Sequence, residues 1–188
     1  TEVKAMLEEN LSQFSLRDKG EALSLLGRSE LNLRNPKAAI EQLTAASRAH
    51  LEAGNLSAPI RDTTTYSYTC MYSLGLRFDL AREHTNQFQG TLPQHYESQH
   101  FYHWSQARIS QRSSDHRSAL THSKRGRQLG QRMGNQKFED YINHEYSNTL
   151  QNLGKFEESA AIFRERVSRI SADSLHCEDA INLNGLGW

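Results

Sequence analysis

The stretch Leu153-Gly154-Lys155-Phe156-Glu157-Glu158-Ser159-Ala160-Ala161-Ile162-Phe163 decides how the whole chain is read. Gly154 breaks one helical pattern, and the residues after it resume another, with small side chains leading and large apolar ones following. Three other stretches follow the same plan. Asn35-Pro36-Lys37-Ala38-Ala39-Ile40-Glu41-Gln42-Leu43 has its breaker at Asn35-Pro36, and a proline in the first helical turn costs no hydrogen bond. Gly75 precedes Phe78-Asp79-Leu80-Ala81, and Ser113-Ser114-Asp115 precedes a helix that Asp115 is suited to cap. The small residue early in each second helix falls at Ala39, Ala81, Ala119 and Ser159, in steps of 42, 38 and 40. Breakers at Asn35, Gly75, Ser114 and Gly154 keep nearly the same spacing. A recurring unit of about 40 residues predicts stacked helix-turn-helix units, where an ordinary bundle would show no such recurrence.

The units are predicted at about 18–55, 56–93, 94–135 and 136–172, with a truncated fifth from 173. Residues 1–17, with Val3, Met6, Leu7, Leu11 and Phe14 roughly on one face, read as an N-terminal capping helix. The stretches quoted above, with Leu23-Ser24-Leu25-Leu26-Gly27 and Leu183-Asn184-Gly185-Leu186-Gly187-Trp188, resemble tetratricopeptide (TPR) repeats. The units exceed the roughly 34 residues of the standard repeat and so resemble the longer-helix variety found in bacterial regulators and motor light chains. The resemblance implies an all-α fold: an α-solenoid of about four helix-turn-helix repeats, forming a right-handed superhelix with a concave groove. Thr1-Glu2-Val3 carries no initiator Met and the other end stops at Asn184-Gly185-Leu186-Gly187-Trp188 within a helical pattern, so the expectation is a fragment of a larger protein.

Composition agrees with a thin stack. The chain has 188 residues, 36% apolar, with a mean hydropathy of -0.76; each repeat of a solenoid buries only the faces that touch its neighbours. Three prolines, seven tyrosines, seven phenylalanines and two tryptophans argue against disorder. Lys+Arg and Asp+Glu balance at 22 each, so no overall charge points to nucleic acid or a membrane. Cys70 and Cys177 match no metal or redox spacing and read as free thiols, which with the lack of a signal peptide points to the cytoplasm.

In the TPR family the first helices of successive repeats line the concave face. Carried onto this sequence, that register names Arg28 and Asn32, with Glu21 and Ser24, from the first unit. It names Tyr66, with Cys70 and Ser73, from the second; Phe101, Trp104, Arg108 and Arg112 from the third; and Tyr141, His144, Asn148 and Asn152 from the fourth. Arg108 and Arg112 share a helix face, as do Asn148 and Asn152. Guanidinium forks suit carboxylates, carboxamides pair with peptide N–H and C=O, and aromatic side chains give large contacts with little entropy to lose. The expected partner is a protein or peptide bearing acidic side chains or a C-terminal carboxylate.

Charge is uneven along the chain. From Ser105 to Lys137 eight Lys/Arg face Asp115 alone, whereas from Phe138 onward nine acids face four bases. The band spreads over both helices of the third unit, so a solvated face is favoured over a nucleic-acid surface. His95, His100 and His103 are the densest histidine cluster; His100 and His103, three residues apart on one helix, could share a metal, but a third ligand has no obvious source. No nucleophile, phosphate loop or metalloprotease helix stands out, and no catalysis, cofactor or metal is expected. The reading is a protein-interaction scaffold or regulatory segment. The alternatives are a ligand- or peptide-sensing domain of a multidomain bacterial signalling or transcription protein, and the non-catalytic part of an enzyme.

Overall fold

A computed structural model of the protein describes residues 2–55, 62, 66, 74–87, 89 and 96–168. Within these, eight α-helices are delimited and no strand occurs: α1 (Glu2–Asn10), α2 (Leu16–Asn32), α3 (Pro36–Glu52), α4 (Phe78–Asn86), α5 (Tyr96–Arg112), α6 (His116–Met133), α7 (Gln136–Asn152) and α8 (Phe156–Val167). The protein is therefore all-helical over the described residues, and helices adjacent in sequence pack on one another: α2 on α3, α6 on α7, and α7 on α8. Cys70, Cys177, Ser73, His95, most of the first helix of the second unit and the whole truncated fifth unit lie outside the described residues.

The chain divides into two compact units, Thr1–Ser105 and Gln106–Trp188, the division falling inside α5. In the first unit, Leu23 and Leu26 of α2 meet Ala46 and Ala49 of α3, and Leu7, Leu11 and Ala45 pack against that cluster. The N-terminal segment thus contributes Leu7 and Leu11 to this core, while Met6, placed on the same face by the sequence pattern, is 56% exposed. In the second unit Tyr146 and Leu150 of α7 pack with Ile162 of α8 and with Leu120 of α6.

One turn geometry recurs four times. Arg34, Leu76, Ser114 and Gly154 all have positive φ, at 59°, 64°, 61° and 73°. The residue after each, Asn35, Arg77, Asp115 or Lys155, caps the next helix with ψ between 57° and 73°. Four residues beyond that cap, Ala39, Ala81, Ala119 and Ser159 donate their N–H to its carbonyl, closing the first helical hydrogen bond at 3.0–3.3 Å. At three of the turns the cap N–H also reaches back five residues: Asn35 to Glu30, Asp115 to Ser110 and Lys155 to Leu150, each at 2.8 Å. A left-handed residue followed by such a bond satisfies carbonyls that the ending helix leaves open.

The small side chains explain how the helices approach. Ala39, Ala81 and Ala119 are fully buried and Ser159 is 1% exposed. Seven residues before the left-handed position stand Gly27, Ala107 and Ser147, also buried. At Gly27 an added Cβ would lie 2.7 Å from Leu43 Cγ and 3.2 Å from the Ala39 carbonyl oxygen, so α2 and α3 touch there almost backbone to backbone.

Left-handed backbone costs a non-glycine residue roughly 1–2 kcal/mol, which gives a test with opposite signs. Ser114→Gly and Arg34→Gly are each expected to raise stability by about 0.5–1 kcal/mol, after allowance for the glycine's freedom in the unfolded chain. Gly154→Ala is expected to lower it by about 1–2 kcal/mol through φ alone, since its Cβ would meet nothing within 4 Å. Urea midpoints of the three variants measure this.

Candidate functional site

The face named from sequence divides between the two units, which are taken separately. In the first, Arg28 donates to Asp62 Oδ1 at 2.8 Å, and Ser24 donates to the other carboxylate oxygen. Asp62 is fully buried while Arg28 keeps 41% of its side chain exposed. A buried carboxylate has to be met by donors, and residues 24 and 28, one helical turn apart, supply them. Arg28 is thus committed to an internal pair; Asn32, one turn further on, is exposed. Tyr66 is buried and stacks on His84 of α4, ring centroids 3.8 Å apart and planes 7° apart. Phe101 and Trp104 of α5 are half-buried, their rings 6.0 Å apart, and Phe101 packs beside Tyr102 and Leu51.

In the second unit the sequence-derived residues converge. Arg108 points its Nε at Glu145 Oε1, 3.6 Å away, and Glu145 is almost wholly buried. One turn C-terminal to Arg108, Arg112 is exposed. On α7, the Asn148 carboxamide donates to His144 Nε2 at 3.1 Å, an arrangement that needs a neutral imidazole carrying its proton on Nδ1. That Nδ1 is buried and meets no acceptor among the described residues. Arg166 of α8, its side chain 6% exposed, sits 3.2 Å from Asp140 Oδ1. Tyr141 is half-buried and Asn152 exposed.

These neighbours explain the acidity of His144. Burial lowers its pKa first, and the guanidinium groups of Arg166, Arg108 and Arg112 lower it further. Three guanidinium groups thus lie near enough to the imidazole to disfavour its protonated form, two of them paired with Glu145 and Asp140. A group placed there is favoured if it is anionic and can accept a hydrogen bond. Sequence reasoning missed Glu145, Arg166 and Asp62. Glu145 sits between the named residues His144 and Asn148, and its pairing with Arg108 depends on which helices neighbour each other, which one helix's periodicity does not encode.

Among the described residues, no three His, Cys, Asp or Glu side chains are grouped to hold a metal ion, and no helix is long and apolar enough to cross a membrane. The described residues form an all-helical fold that carries an arginine- and amide-bearing face on α5 and α7. No protein-family model matches the sequence, and no curated protein matches it.

Buried histidines make stability pH-dependent. Burial lowers His84 from its ordinary 6.5 to about 4, so between those values the unfolded chain takes up a proton that the folded chain refuses. Stability is then full above about pH 6.5 and falls toward pH 4, by up to about 1.4 kcal/mol per pH unit for this one group. His144 acts with the same sign. Urea midpoints at pH 7.5, 5.5 and 4.5 are expected to fall in that order, and His84→Phe, which keeps a ring against Tyr66, is expected to flatten the slope.

Proposed function

We propose that this protein is a non-catalytic interaction module, a TPR-like stack of helical repeats that binds a protein or peptide segment through an acidic group. The observation that carries the reading is the grouping of Arg108, Arg112 and Arg166 about His144, beside the Asn148 carboxamide, with Arg112 exposed. In a chain of zero net charge, such a concentration on one face selects an anionic partner by electrostatic complementarity. The left-handed turns and buried small residues, repeated at the spacing seen in the sequence, support the solenoid reading. In it, α5 and α7 are first helices of neighbouring repeats and present their residues to the concave side. An extended peptide laid there would place a side-chain or terminal carboxylate toward Arg112, with Asn148 meeting the peptide backbone. Of the remaining groove candidates, Tyr141 and Asn152 on α7 stand in this reading as flanking positions; Asn32, Phe101 and Trp104 belong to the first unit, where Arg28 and Tyr66 are engaged by Asp62 and His84.

Binding of a fluorescein-labelled Glu-rich decapeptide, with free and with amidated C-terminus, followed by polarisation, tests the assignment. Arg112→Ala and Asn148→Ala are the informative variants, because Arg108→Ala would strand the buried Glu145 carboxylate and lower stability as well. Arg112→Ala is expected to weaken binding about tenfold, the scale of one charge-assisted hydrogen bond. Loss of affinity on amidation alone would identify the C-terminal carboxylate as the group read. Unchanged affinity in both variants would remove the groove from consideration.

A further inference from the structure

Helix α6 contains no acidic residue, alone among the delimited helices. Its exposed stripe carries Arg117, Lys124, Arg125, Gln128, Gln131 and Arg132. Where this stripe meets α7 there is a notch of about 170 Å³, lined by Lys124, Arg127, Gln128, Gln131 and Tyr146. Positions 124, 127, 128 and 131 recur on one helical face, so four donor-bearing side chains open onto one space.

The donors are only loosely engaged by the protein. Lys124 forms no ion pair or hydrogen bond among the described residues. Arg127 lies over the Tyr146 ring, 5.7 Å from its centroid, and its terminal nitrogen is 3.5 Å from Glu165, beyond ordinary hydrogen-bond length. Its Nε is buried and donates to no acceptor among the described residues. The Gln128 oxygen faces the Arg125 guanidinium at 3.5 Å, which leaves the amide N–H groups of Gln128 to donate. An ammonium, a guanidinium and two carboxamides over an aromatic floor thus surround a hollow with room for a small polyatomic anion.

We infer that this notch binds a phosphate monoester. Three terminal oxygens can each be met by a different lining side chain, whereas a carboxylate offers two. The near-dianionic charge at neutral pH suits paired Lys and Arg. The site is separate from the peptide-binding face proposed above: Tyr146 and His144 are two residues apart on α7, about 200° around the helix.

Binding is tested on the whole chain by nuclear magnetic resonance, following the Arg Nε–H and Gln side-chain amide signals. The probes are inorganic phosphate, sulfate, acetate and a short phosphoserine peptide. Saturable shifts of the Arg127, Gln128 and Gln131 signals with phosphate or the phosphopeptide are expected, with sulfate and acetate weaker. Arg127→Gln is expected to weaken phosphate at least about tenfold, while Arg132→Gln, on the same helix outside the notch, leaves it unchanged. If Arg127→Gln fails to fold, Lys124→Gln and Gln131→Ala at exposed positions carry the test, each with a several-fold loss. Tighter binding of the phosphopeptide than of inorganic phosphate would assign the group to a protein segment, and equal binding to a small molecule. Absence of saturation, equal response to sulfate, or an equal loss in Arg132→Gln would overturn the inference.

Discussion

Close approach of helices at small residues, locked by a left-handed residue just before the next helix, is the constraint on which the rest of this structure depends. Gly27 shows why. With no Cβ it lets the α2 backbone come within van der Waals reach of the Ala39 carbonyl and of Leu43. Any larger group there would push the pair apart and open the Leu23, Leu26, Ala46 and Ala49 cluster. The turn makes that approach possible by reversing the chain in a few residues while keeping its hydrogen bonds satisfied. Short turns and close helices therefore stand or fall together, and the buried apolar side chains fill what space the two leave.

Electrostatics is arranged on top of that frame. Acids at helix contacts are met by arginines from a neighbouring element or helix: the buried Asp62 by Arg28, the buried Glu145 by Arg108, and the half-buried Asp140 by Arg166. Such pairs hold geometry more than they add stability, because desolvation offsets much of their attraction. Their placement matters for function all the same. Around His144, burial first and then the nearby guanidinium groups of Arg166, Arg108 and Arg112 disfavour the imidazolium, so the ring's pKa lies below its ordinary value.

Much of the fold was legible in the sequence because volume and spacing are sequence properties. Ala39, Ala81, Ala119 and Ser159 were recognisable as small residues at a fixed interval, and all four are buried. The turns were legible less sharply. Asn35-Pro36 draws the eye as a breaker, yet the left-handed residue is its neighbour Arg34; at the second turn Gly75 is itself left-handed, and so is Leu76 after it. Arg34 and Leu76 take a conformation their side chains do not prefer, so no residue type announces it. Interactions between elements were the least legible. Nothing in the run of residues 58–89 says that Tyr66 stacks on His84, or that Asp62 answers Ser24 and Arg28. Likewise Lys124, Arg127 and Gln131 share a helical face on paper, but the Tyr146 ring that floors their notch comes from another helix.

The same turn is made with arginine, leucine, serine and glycine at its left-handed position. What the four turns share is thus a dihedral angle and a volume limit, with the identity of the residue left open. A chain held to such a rule tolerates very different letters at the turn, because what is constrained there is the path of the backbone and the room beside it.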